Sequence, residues 1–187
     1  MSPILGIWAS QNYSRTPLTG FCSIATTTVG AGGTSTITFS NIPQVYKHLQ
    51  IRGIGRATAG SERSIDIRFN SDTGNNYNSH NLTGDGTTAS AGNNGNTTYA
   101  RIGLITGSLV SANIYGVAII DILDYQNTNK NKTIRSLDGY DTNGSGKMGL
   151  RSGLWMSTSA VTQIDLTLSA QNFEQYSSFA LYGIQGA

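Results

Sequence analysis

The chain has 187 residues, with 12 Lys and Arg against 10 Asp and Glu and a formal net charge of +2. That length suits one domain with a proper core, and the basic residues are scattered without a run or a helical stripe, so neither nucleic acid nor a membrane surface is an expected partner. The single cysteine, Cys22, excludes an intrachain disulfide and a cysteine-based metal centre.

Gly, Ser, Thr and Asn make up roughly two-fifths of the residues, which points to turns and polar strand faces. Ile, Leu, Val and aromatics recur too regularly for general disorder. The first residues, MSPILGIWASQ, lack the basic segment and long apolar stretch of a secretory signal. No apolar run approaches the ~20 residues of a membrane-spanning helix. The expected product is a protein made soluble and not exported by the usual route.

In chain order, residues 1–20 read as an N-terminal arm. Pro3-Ile4-Leu5-Gly6-Ile7-Trp8 is apolar, whereas Asn12–Gly20 is polar and turn-like. Ile4, Leu5, Ile7 and Trp8 are therefore the expected docking residues, either pairing with the parent sheet or inserting into a neighbouring subunit, where Trp is a common anchor. From there the period is two. Strands are predicted at Ile24–Val29, Ser35–Phe39, Leu49–Ile54, Ile65–Phe69, Ala100–Ile105, Ile114–Leu123, Thr133–Gly139, Met148–Met156, Ile164–Leu168 and Phe179–Ile184. Alternation in Ile65-Asp66-Ile67-Arg68-Phe69 sets Leu49, Ile51, Ile65, Ile67 and Phe69 on a core face, with Arg52, Asp66 and Arg68 opposite. Tyr115–Leu123 is apolar on both sides and reads as a central strand. Gly30–Gly33 is predicted to close a hairpin between the first two strands, and Asn143–Gly146 a later one. The tract Asn70–Thr98 is read as a long surface loop, which is functional or mobile in most compact domains. Within it, Asp72, Asn76, Tyr77 and His80 suit recognition of a hydroxyl-rich ligand or a neighbouring subunit. The expected fold is a single-domain antiparallel β-sandwich over residues 21–187, with a jelly roll of about 8–10 strands as the leading topology and a closed barrel as the alternative.

Motifs for chemistry fail one by one. Gly53-Ile54-Gly55 meets Thr58 where a dinucleotide fingerprint needs its next glycine, and there is no Gly-Lys-Ser/Thr phosphate loop. With only His48 and His80, a histidine-rich metal site is excluded. Asp141-x-Asn143-x-Ser145-Gly146 imitates the start of a calcium loop, but Ser152 stands where the bidentate Glu belongs. No strand–GxSxG–helix context exists, and no spacing favours Asp66 with Asp121, or Asp121 with Asp124, as a carboxylate pair. An enzyme is not expected, and no cofactor is.

The run SNIPQVYKHLQIRGIGR (Ser40–Arg56), followed by RFNSDTGNNY (Arg68–Tyr77), resembles a group of tailed-bacteriophage virion proteins. Those proteins also tend to begin with an apolar SPILGIxAS segment and to end near FALYGI, as Ser2–Ser10 and Phe179–Ile184 do here. The likeness touches both ends and the middle, and its motifs are structural rather than catalytic. It implies a virion component: either a capsid cement (decoration) protein gripping several copies of the major capsid protein, assembled in threes on the capsid surface after synthesis in the host cytoplasm, or a tail-fibre or receptor-binding module recognising host-surface glycan.

Overall fold

The computed structural model describes residues 20–186, so the arm residues Ile4, Leu5, Ile7 and Trp8 lie outside the described residues. The described chain is all-β. Its strands are β1 (Phe21–Thr28), β2 (Thr36–Phe39), β3 (His48–Ala57), β4 (Glu62–Phe69), β5 (Tyr77–Gly84) and β6 (Ala89–Thr97), then β7 (Ala100–Gly107), β8 (Gly116–Leu123), β9 (Lys132–Asp141), β10 (Gly146–Trp155), β11 (Ile164–Leu168) and β12 (Ser178–Ile184).

Pairing divides the strands into two runs. The large run is antiparallel throughout, in the order β1-β12-β3-β8-β9-β10-β5-β6. The small run is β2-β11-β4-β7, also antiparallel. They meet where the last residues of β3, Arg56 and Ala57, pair in parallel with Thr106 and Gly107 of β7. The strands thereby join in one open, mixed sheet of twelve, where a purely antiparallel arrangement is expected from the sequence.

The small run folds back over the large one. A Cβ on Gly116 of β8 would lie 2.8 Å from the Ile105 Cα of β7, and one on Gly153 of β10 would lie 3.2 Å from the Ala100 Cβ. β7 is hydrogen-bonded to neither β8 nor β10, so these are contacts between layers. A single apolar core fills the space between, with Ile37, Ile67, Phe69, Ile102 and Leu166 from the small run and Leu49, Ile51, Ile120, Ile134 and Phe179 from the large one. Close packing of β-branched and aromatic side chains on facing pleats is what makes these runs strands rather than helices.

The structure corrects three further expectations. The tract 70–98 is not a loop: β5 and β6 form a hairpin on the edge of the large run, paired from Tyr77↔Thr97 to Gly84↔Ala89. Its tight turn is held by Asp85 Oδ1, which accepts from the Thr87 and Thr88 N–H groups. Gly30–Gly33 does not close a hairpin. β1 pairs with β12 and β2 with β11, so this segment carries the chain from one run to the other. Finally, Asp66 is not set out in water opposite the core but is 3% exposed. The Asn143–Gly146 turn does join β9 to β10 as a hairpin, with Asn143 and Gly144 at positive φ.

Candidate functional site

The residues read as a recognition loop separate into two groups. Asp72, Asn76 and Tyr77 form a staple between the start of β5 and the end of β10. The Asp72 carboxylate accepts from the Asn76 amide (2.8 Å), the Gly74 N–H (2.8 Å) and the Trp155 indole N–H (2.7 Å). Those donors, the Asn76 amide foremost, hold its carboxyl below the ordinary range. Tyr77 is fully buried, its ring lying 6.1 Å from and nearly parallel to that of Trp155. Its hydroxyl accepts from the Phe69 N–H at 3.0 Å, and burial pushes the phenol up to about 12. Tyr77 is therefore a core residue, not an exposed recognition residue. His80, by contrast, is exposed on β5.

The carboxylates considered for chemistry each have their own partners. Asp66 meets the Arg101 Nε at 3.3 Å, Asp121 accepts from the Gln50 amide at 2.7 Å, and Asp124 gathers Lys47 and Lys130, each at 2.9 Å. The two lysines draw Asp124 down to about 2. Asp66 lies in the small run and Asp121 in the large one. Among the described residues, no three His, Cys, Asp or Glu side chains converge as metal ligands.

What the fold does assemble is an exposed apolar band on the outer face of the large run. Strand alternation sends Ala118, Ile120 and Ile122 of β8 inward and Val117, Ile119, Asp121 and Leu123 outward. The register then aligns the outward residues of neighbouring strands. Ile119 pairs with Leu137, Leu137 with Leu150, Leu150 with Leu82, and Leu82 with Ala91. The four large residues of this row are 40–56% exposed. On one side lies the row Val117–Gly139–Met148–Gly84, and on the other the polar row Asp121–Arg135–Ser152–His80–Asn93. Adjacent large apolar side chains left in water across four strands form a contiguous patch of the kind that marks an interaction surface.

The sequence carried a signal for this face. Val117 and Ile119 make the second apolar side of Tyr115–Leu123, which reads as the mark of a central strand. β8 is indeed central, between β3 and β9, but that second side points away from the core. The outer face of the small run is different in character: Asp66, Arg68, Tyr99, Gln171 and Asn172 line a shallow polar groove there, with Arg101 over the Tyr99 ring at 5.7 Å. Comparison of the chain with protein-family models, with curated proteins and with solved structures finds no match.

Proposed function

We propose that this chain is a non-enzymatic structural component of a tailed-bacteriophage particle, a capsid cement protein that binds the major capsid protein and stabilises the shell. The observation that carries the reading is the apolar band Ile119–Leu137–Leu150–Leu82, a surface suited to burial between protein subunits. The virion-like segments Ser40–Arg56 and Arg68–Tyr77 supply the particle context. Segment Ser40–Arg56 builds most of β3, the strand shared by both runs, so the resemblance falls on the scaffold. Burying such a band stabilises by about 25 cal/mol per Å² before the cost of association.

The test is the protein content of purified particles. A cement protein is present in hundreds of copies, and Leu150→Lys should lower its incorporation at least tenfold while the free protein keeps its β-type circular dichroism. Absence from particles, or unchanged incorporation of the variant, would refute this reading. The polar groove beside Tyr99 favours a second one, a tail-fibre module binding host glycan through Tyr99, Gln171 and Asn172. Here the copy number would be a few to a few tens, and Tyr99→Ala should abolish adsorption to cells.

A further inference from the structure

We infer that the apolar face pairs with the same face of a second copy, about a two-fold axis that runs parallel to the strands between β9 and β10. This deepens the assembly reading above and rests on it for the premise that the face is covered by protein. The band is buried between two copies, and Leu150→Lys lowers incorporation by breaking the pair that the shell takes up. The register decides both the partner and the axis.

A face-to-face pair of identical surfaces needs a two-fold axis lying in the plane of contact. An axis across the strands would lay the polar row on the partner's Val117–Gly139–Met148–Gly84 row. Asp121 and Arg135, neighbours across β8 and β9, would then be desolvated against the partner's apolar atoms, which is costly even for a paired charge. An axis along the strands instead places each row on its own counterpart. Centred between β9 and β10, it sets Leu137 against the partner's Leu150 and Ile119 against the partner's Leu82. In the next row Met148 lies over the partner's Gly139, where the missing side chain leaves a hollow for it. On the polar side Asp121 faces the partner's His80, and Arg135 faces the partner's Ser152. No like charges oppose one another, and Asp121, Arg135 and His80 all meet groups that can hydrogen-bond. Arg52, the apolar row's neighbour on β3, falls over the partner's Ala91 at the rim, where its guanidinium stays in water. Aligned sheets pack at about −30°, which displaces the outermost pairs and keeps the central ones, Leu137 with Leu150 and Met148 with Gly139, in contact.

The size is right as well. Six strands, β3 to β6 across the face, at about 4.8 Å spacing and eight residues at about 3.4 Å rise give roughly 29 by 27 Å. That is about 800 Å² per partner, the area of a standard stable interface. The expected assembly is thus a two-fold pair in place of the three-fold one that the resemblance implies.

The experiment is analytical ultracentrifugation of the full chain in solution, without capsid, at micromolar concentration. The expected species is a dimer. Leu137→Glu should raise its dissociation constant at least about tenfold with an unchanged circular dichroism spectrum. A second variant fixes the axis. Ile119→Cys with Leu82→Cys places the thiols three strands apart within one chain, about 14 Å, and face to face across the pair. Facing sheets lie about 10 Å apart, too far for a disulfide, so a bifunctional thiol reagent spanning about 8 Å, short of the distance within one chain, should give a covalent dimer that neither single variant gives. A monomer, a trimer, or a dimer indifferent to Leu137→Glu would overturn the inference, as would a dimer that loses its association only when residues 1–19 are removed. A dimer that never forms the Ile119–Leu82 cross-link would overturn the axis. A chain that stays monomeric in solution yet enters particles normally would leave the cement reading standing and sink this one alone.

Discussion

Asp138 and Arg151 show how a single position can work against the pattern around it. Both point inward from adjacent strands, where alternation demands apolar side chains, and both are at most 5% exposed. They satisfy each other through bonds of 2.6 and 3.3 Å, although burial still pushes the Asp138 carboxyl up. Arg151→Leu leaves that carboxylate without its partner and should cost about 3–5 kcal/mol, read as a lower urea midpoint. Replacing both residues with apolar ones should cost clearly less. Asp66 offers a pH signature. Burial, only partly offset by Arg101, pushes it up to about 6, whereas an unfolded Asp titrates near ~3.9. Between those values the folded chain holds a proton that the unfolded chain has released. Its contribution is full below about pH 4 and is lost as the pH rises through 6, by up to ~3 kcal/mol. Asp66→Asn should flatten that limb when Tm is followed from pH 4 to 7. Tyr77→Phe should cost about 1–2 kcal/mol in the same urea assay, because the buried Phe69 N–H loses its acceptor.

At the scale of elements, the strands that alternate apolar and polar residues were all legible. The ten predicted from period two are present, with ends shifted by a few residues as hydrogen-bonded pairing extends past the last apolar side chain. β5 and β6 were not legible. Past the buried Tyr77 and Ser79 the hairpin is wetted on both faces and needs no apolar alternation, and Asn78, His80 and Asn81 or the wholly polar Gly92–Thr97 carry no period to read. Strand order was equally hidden: Gly30–Gly33 has hairpin composition, yet which strands pair depends on contacts far along the chain. Close approaches between elements are also invisible to composition. Gly107 ends β7 where it crosses the 59–61 turn, and a Cβ there would come 2.2 Å from the Gly60 carbonyl oxygen and 2.5 Å from that of Ala59. Since backbone atoms cannot swing aside, Gly107→Ala should destabilise by at least about 2 kcal/mol. Guanidinium denaturation would measure it, and a neutral result would mean that the β3–β7 seam gives more readily than its geometry implies.

For the whole molecule, the all-β class and the core face of Leu49, Ile51, Ile65, Ile67 and Phe69 followed from alternation alone. The candidate face did not, because an apolar side turned outward has the same sequence pattern as one turned inward; only the register lines Ile119 up with Leu137, Leu150 and Leu82. The same register joins distant parts of the chain. Thr28 and Ser178, hydrogen-bonded to each other, stand 150 residues apart, and β2 finds its partner only in β11. At roughly 5–20 residues per second of synthesis, β1 emerges on the order of ten seconds before the strand that will cover it. Throughout that interval the nascent chain presents unpaired strands of mixed apolar character, an aggregation hazard that closes only when β12 arrives to pair with β1.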